Sequence, residues 1–187
     1  NADRAIILVH GRDASKQNAI SGKLPALASE LHKAGLAVLM LDLRGHGGSD
    51  GDRYTWGVFE RRDVLGGVDF LLEEGFAPGK IAILGISLGG AAAVGAAFAE
   101  PAIGALVLDS TFADLQALIK PNWRKESLLP MFFLPGAYLM WEAMYRFDLR
   151  QVKPARELAQ IAPRPVLVFH SQSDETVPVS PGIPLPA

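Results

Sequence analysis

The stretch that most constrains this chain is residues 81–93, where a Gly-x-Ser-x-Gly motif joins an apolar run to a run of small residues. An apolar, β-rich segment precedes the motif, and glycine and alanine follow it, which predicts a strand, a sharp turn and a helix. Gly85 and Gly89 fit a turn in which two backbones come too close for side chains. This context, more than the five-residue motif itself, makes Ser87 the candidate nucleophile.

Four further apolar runs predict the other strands of a parallel sheet. Their continuous apolar character is expected of strands that are buried on both faces of a sheet. Each run ends at a polar or charged residue. Between them, apolar residues recur at helical spacing, first over residues 24–31 and then in a helix over about 58–74. The alternation indicates β-α-β units whose functional loops lie at the carboxyl ends of the strands. These runs are Ala5 to Val9, Ala37 to Leu41, Ile103 to Leu108 and Val166 to Phe169.

The amino-acid composition limits the classes of protein to which this chain can belong. The 187 residues are 49% hydrophobic and 20% charged, which predicts one compact α/β domain over residues 1–187. A net charge of −2 without a basic block argues against a nucleic-acid partner. Cysteine is absent, which excludes thiolate chemistry in this chain and is compatible with the cytosol or with export. The first residues lack the features of a signal peptide, so any such segment was removed or never existed. The cytoplasm is the expected compartment.

A long insertion, residues 112–149, separates the fourth and fifth strands. Its middle, residues 128–141, is rich in aromatic residues and methionine. This run is shorter than the roughly 20 apolar residues of a membrane span and is broken by Pro130 and Pro135, so we expect no span. Two interpretations stay open: an apolar, cap-like lid that binds an acyl or other apolar group, or ordinary core or a dimer face. Composition does not distinguish between them, because the walls of apolar pockets and apolar cores contain the same kinds of residue.

Four motifs at the ends of these strands, in this order, resemble those of the α/β-hydrolase superfamily. Within it, the chain is similar to bacterial serine hydrolases of the esterase, lipase and serine-aminopeptidase type. The resemblance implies a mostly parallel sheet flanked by helices, and a serine hydrolase that cleaves an ester-type acyl bond through an acyl-enzyme intermediate. The implied substrate is a small molecule with a hydrophobic acyl group, and no metal or organic cofactor is implied. The motifs are His10-Gly11, Asp42 to Ser49, Gly85 to Gly90 and Ser173 to Pro178.

The resemblance also assigns an oxyanion hole. In the family, the residue after His-Gly and the residue after the nucleophile donate main-chain N–H groups, which here are Arg12 and Leu88. Fixed donors suit acyl transfer because its tetrahedral intermediate places negative charge on oxygen. The Arg12 side chain has two interpretations, steering of an anionic substrate or simple solvation beside Asp13, and we favour solvation.

Asp174 is the implied acid of the triad, a carboxylate that orients the histidine and stabilises its charged form. Two other carboxylates compete for this role. Asp109 ends the strand after the elbow helix, where some members of the family carry the acid, and here it resembles a structural strand end. Asp42 resembles one half of a loop-organising pair with Arg44.

The histidine of the family pattern is missing. In this fold the chain order is serine, acid, histidine, and no histidine follows Asp174. We expect His10, His32, His46 and His170 to be structural or solvent-facing. The sheet starts almost at the first residue, so both ends are expected to be truncated, with the base beyond Ala187 and residues 178–187 as a tail or a cut edge. The alternative is a naturally short, inactive domain that binds an apolar ligand or a protein partner.

Overall fold

The computed structural model describes residues 2–174 and 176–177, and the strands of this part form one parallel sheet in the order β2-β1-β3-β4-β5. All the predicted strands are confirmed, and β4 extends one residue further than predicted. The helix predicted over 58–74 begins two residues later and ends one residue earlier. The elements are β1 Ala5–Val9, α1 Ala19–Gly22, α2 Leu24–Lys33, β2 Ala37–Leu41, α3 Glu60–Glu73, β3 Ile81–Ile86, α4 Leu88–Ala99, β4 Ile103–Asp109, α5 Leu115–Ser127, α6 Leu134–Tyr145, α7 Pro154–Leu158 and β5 Val166–Phe169.

The strand order reverses direction at β1, which places a crevice at the ends of β1 and β3. The chain leaves β1 for β2 on one side and returns to β3 on the other side. The register aligns Val9 with Gly85 and Ile86 with Asp109, so the loops after β1, β3 and β4 begin side by side. Open parallel sheets bind ligands at such a reversal.

The sheet is covered on both faces, as the apolar strands require. On one face, α3 and α4 pack against β1 and β3 through Val64, Val68 and Ala93. On the other face, α2 covers the sheet through Leu24, which belongs to one buried cluster with Ile6 and Leu8. The side chains of α4 are so small that this helix lies directly against the sheet, with Leu88 to Ala97 all buried.

The insertion is helical. It contains α5, a 3₁₀ turn at Met131–Phe133 and α6, and its apolar residues form a second cluster around Phe112, Leu118 and Tyr138. None of the helices in the described residues has the length and apolar composition needed to cross a bilayer. The predicted tail, residues 178–187, lies outside the described residues, as does Glu175 within the last motif.

Candidate active site

Ser87 lies on a sharp turn between β3 and α4, as predicted. Its φ is 51° and its ψ is −114°, a strained conformation for a residue other than glycine. The N–H of Ser87 donates to the carbonyl of Asp109 over 2.8 Å. A Cβ atom on Gly85 would lie 2.6 Å from the carbonyl oxygen of Gly89, and one on Gly89 would overlap the carbonyl oxygen of His10. Glycine is therefore required on both sides of the serine.

The loop after β1 lies against this turn. A Cβ atom on Gly11 would be 3.3 Å from the Cβ of Ser87. In the described part of the chain the N–H of Arg12 has no protein acceptor. Leu88 is the first residue of α4, and the N–H groups of a first helical turn have no partner within the helix. Both predicted oxyanion donors thus flank the turn that carries Ser87.

The side chain of Arg12 is not simply solvated beside Asp13, so the interpretation that we favoured for it is wrong. Its Nε is 3.3 Å from the carboxylate of Asp13, but its Nη1 also lies 3.1 Å from Oε2 of Glu126 on α5. The guanidinium stacks over the ring of Trp56 at 5.3 Å, and only 24% of the side chain is exposed. Arg12 therefore connects the loop after β1 to the insertion.

Asp174 lies just beyond the end of β5, where its carboxylate is organised by the main chain. Its Oδ1 accepts from the N–H groups of Thr176 and Val177, at 2.9 and 2.8 Å. Burial raises the pKa of Asp174, but hydrogen bonds from these two N–H groups and the Ser110 hydroxyl, together with His170, outweigh burial and hold the pKa below its usual range. Oδ2 is 3.8 Å from Nε2 of His170. Asp174 is therefore a fixed, ionised carboxylate at physiological pH.

Asp42 organises loops, but the partner predicted for it is wrong. Arg44 pairs with Asp63 on α3, with Nη2 2.6 Å from Oδ1. Asp42 instead accepts from the N–H groups of Lys16 and Gly48, at 2.7 and 3.0 Å. The carboxylate of Asp42 therefore links the loop after β1 to the loop after β2.

Asp109, the other competitor for the acid, uses its carbonyl to bind Ser87. Its carboxylate accepts from the hydroxyl of Ser110, with Oδ1 3.2 Å from Oγ. The main-chain role agrees with the expected structural strand end.

All four histidines have a main-chain carbonyl within hydrogen-bonding distance of a ring nitrogen. His10 is fully buried, accepts from the N–H of Leu43 at Nε2 and donates from Nδ1 to the carbonyl of Gly11. Burial lowers the pKa of His10, so the ring is neutral. Among the described residues, no histidine is hydrogen-bonded to the hydroxyl of Ser87. The other partners are Leu36 for His32, Arg44 for His46 and Val177 for His170.

A cavity of about 300 Å³ lies between Ser87 and the insertion. Its wall is mostly apolar and comes from the inner faces of α5 and α6. Ser87 and Arg12 stand at one side of it. The insertion residues in the wall include Leu118, Ile119, Trp123, Leu134, Ala137, Tyr138 and Trp141.

Sequence reasoning missed three residues of this wall. Trp56 has a φ of 56° and supports Arg12, and Glu126 pairs with Arg12 across 114 positions of sequence. Asn122 donates to the carbonyl of Thr176 over 3.2 Å and so ties α5 to the loop of Asp174. These contacts carry no local signal, since each depends on residues that meet only in the fold.

Comparison with known proteins identifies a family. The family model described as serine aminopeptidase, S33, matches residues 1–143. The uncharacterized protein YqkD of Bacillus subtilis is 32% identical over 178 residues, which cover 94% of this chain and 56% of YqkD. The chain thus spans little more than half the length of this relative.

Solved structures share the fold. An esterase of Pyrococcus furiosus, Pf2001, superposes with a TM-score of 0.71 at 24% identity, covering 97% of this chain and 66% of the esterase. A puromycin-hydrolyzing peptidase of Mycobacterium tuberculosis gives a TM-score of 0.69 at 23% identity, covering 97% of this chain and 27% of the peptidase. The chain has the α/β-hydrolase fold.

Proposed function

We propose that this chain, which belongs to the serine aminopeptidase (S33) family, is a serine hydrolase that cleaves an ester-type acyl bond through an acyl-enzyme intermediate. The observation that carries the proposal is the position of Ser87: on a strained turn, at the wall of an apolar cavity, beside the N–H groups of Arg12 and Leu88. Solved structures of the same fold include an esterase and a puromycin-hydrolyzing peptidase, which supports a hydrolase.

In the proposed reaction, the hydroxyl oxygen of Ser87 attacks the acyl carbonyl and forms a tetrahedral intermediate. The N–H groups of Arg12 and Leu88 donate to its oxyanion, and the loss of one such donor typically slows acyl transfer by about 10²- to 10³-fold. Collapse of the intermediate releases the alcohol, and water then hydrolyses the acyl-serine. Asp174 is the proposed acid, since its carboxylate is ionised and fixed by the main chain.

The proton of Ser87 must pass to a general base, and the proposal assigns this role to none of the four histidines. Each has a main-chain carbonyl partner, and His10 is also held by the N–H of Leu43. The expectation that the base lies beyond Ala187 stays a prediction.

The proposed substrate is a small ester with a hydrophobic acyl group. The cavity beside Ser87 is lined on the insertion side by leucine, isoleucine, tyrosine and tryptophan. A volume of about 300 Å³ is at the lower end of small-molecule sites, which suits a short or medium acyl chain.

The test combines a serine-reactive fluorophosphonate with p-nitrophenyl esters of increasing acyl length. In a protein that includes the general base predicted beyond Ala187, we expect fluorophosphonate labelling and ester hydrolysis, and Ser87→Ala should lose the label and at least about a thousandfold in kcat/KM. Ser29→Ala is the matched control, since Ser29 lies on the exposed face of α2. Labelling that survives in Ser87→Ala would refute Ser87 as the nucleophile.

A second candidate function is an inactive hydrolase-fold domain that binds an apolar ligand or a protein partner through the insertion. This candidate is favoured because the hydroxyl of Ser87 has no histidine partner among the described residues. A fatty acid that raises the Tm, together with a fluorophosphonate that fails to label even a protein extended beyond Ala187 to the predicted base, would select it. A cytoplasmic location remains a prediction for either function.

A further inference from the structure

An exposed apolar surface covers the outer side of the insertion. Leu128 and Phe132 are 86% and 74% exposed, and the rings of Phe132 and Phe133 lie 4.3 Å apart. Single exposed apolar residues are ordinary, but a continuous group of them marks a surface that binds something. We call this surface the apolar tip. It consists of Leu128, Leu129, Met131, Phe132, Phe133, Leu139, Met140 and Met144.

Hydrogen bonds hold the turn that presents the tip. Leu128 ends α5 in a left-handed conformation, with a φ of 60°. The indole N–H of Trp123 donates to the carbonyl of Pro130 over 3.1 Å, and the N–H of Leu129 donates to the hydroxyl of Ser127 over 3.1 Å. The apolar side chains therefore point outward from a turn that is tied to α5.

The segment that carries the tip, residues 115–150, has an excess of positive charge. Residues 115–150 carry five lysine or arginine residues against three acids, whereas the whole chain has a net charge of −2. All three acids are paired, Glu126 with Arg12 and both Asp148 and Glu142 with Arg150. The remaining cations have no carboxylate within 4 Å in the described part of the chain. They are Lys120, Arg124, Lys125 and Arg146.

A groove of about 600 Å³ joins the tip to one of these unpaired cations, Lys120, and to the paired Arg150. It runs between α5 and α6, and Met131 and Leu139 of the tip form part of its wall. Lys120 and Arg150 also line it. Apolar side chains and cations thus share one face of the insertion, the pattern of a segment that lies in the interface of an anionic bilayer.

We propose that the apolar tip docks onto the surface of an anionic phospholipid bilayer. The apolar side chains enter the boundary between headgroups and acyl chains, and the unpaired cations face the lipid phosphates. The inner face of α6 lines the cavity beside Ser87, so docking brings this cavity next to the lipid. The docking itself does not depend on hydrolysis.

The test is flotation of the full chain with vesicles of phosphatidylcholine alone and with vesicles that also contain phosphatidylglycerol. We expect binding to the anionic vesicles, and a loss of about tenfold or more in the double variant Leu128→Ser, Phe132→Ser. The matched controls are Phe70→Ser and Phe98→Ser, which change side chains that are 49% and 45% exposed on α3 and α4, and they should bind like the parent chain.

A second pair of variants tests the charges. Arg124→Gln with Lys125→Gln should lower binding to anionic vesicles by about tenfold, because each cation near such a surface contributes. Lys23→Gln, an exposed change outside the insertion, should leave binding as it was. Ser87→Ala should also bind like the parent chain, which separates docking from the proposed hydrolysis.

Three results would overturn the proposal. One is the absence of binding to anionic vesicles, and another is equal binding to both kinds of vesicle. The third is a dimer in sedimentation that the Leu128→Ser, Phe132→Ser variant converts to a monomer while vesicle binding is absent, which would make the tip an interface between two copies of the chain.

Discussion

The elbow segment, residues 81–99, and the insertion, residues 112–149, enclose the same cavity, but they use apolar residues differently. In α4 of the elbow segment, Leu88 to Ala97 are all buried, and main-chain atoms stand where larger side chains would be. In the insertion, α6 is apolar on both faces, and its outer face is exposed. Two buried polar atoms on α6, Tyr138 Oη and Trp141 Nε1, have no hydrogen-bond partner among the described residues.

The difference shows which parts of a site are fixed by backbone sterics. The elbow segment is confined by main-chain atoms, because α4 leaves no room for a Cβ at Gly85 and the end of β1 leaves none at Gly89. The insertion is held by side-chain packing and a few polar links, such as Arg12 with Glu126. A segment of the second kind tolerates changes in sequence more readily, as expected where substrates or partners differ between relatives.

The largest effect predicted from this comparison is that of Gly89→Ala. The added methyl group would overlap the carbonyl oxygen of His10 and lie 2.7 Å from that of Val9, so α4 or β1 must move. We expect a loss of about 3 kcal/mol or more in the free energy of unfolding, measured by urea denaturation. Fluorophosphonate labelling of Ser87 should fall as well, since the serine turn moves with α4.

The control for Gly89→Ala is Gly66→Ala on α3, where an added Cβ meets nothing within 4 Å. It should leave the free energy of unfolding unchanged or slightly raised. A Gly89→Ala variant as stable as this control would mean that the elbow segment adapts as easily as the insertion, which would break the comparison.

The link between the two regions should have a smaller effect. Glu126→Gln removes the charge opposite Arg12 but keeps a hydrogen-bond acceptor. Because Glu126 is half-exposed, we expect the free energy of unfolding to fall by less than about 1 kcal/mol. The rate should respond more, with kcat/KM for a p-nitrophenyl ester about three- to tenfold lower, since Arg12 also supplies an oxyanion N–H.

Salt gives this prediction a second readout. Added NaCl weakens ion pairs that are in contact with water, so it should lower kcat/KM of the parent chain and change the variant less. Glu142→Gln, which alters an acid on α6 with no contact to Arg12, is the control. Equal values of kcat/KM for the parent chain and Glu126→Gln would mean that the insertion does not influence the loop that carries Arg12.

Sequence predicted the fold because its signals are local. The strands are short apolar runs, and the Gly-x-Ser-x-Gly motif between a strand and a helix predicted the turn at Ser87. The pairing of Arg44 with Asp63 was not predictable, since Asp42 lies closer in sequence and is equally acidic. The two faces of α6 were also unreadable, because a helix that is apolar all round has no 3.6-residue pattern to show which face is covered.

The smallest predicted effect is that of Gly136→Ala, and its sign is opposite to that of Gly89→Ala. Gly136 lies in the first turn of α6, and an added Cβ meets nothing within 4 Å. Alanine loses less conformational freedom than glycine in a helix, so we expect the free energy of unfolding to rise by up to about 1 kcal/mol. Urea denaturation beside Gly89→Ala checks the sign. Destabilisation by Gly136→Ala would mean that the insertion is packed as tightly at this point as the elbow segment, and the contrast between the two regions would then be lost.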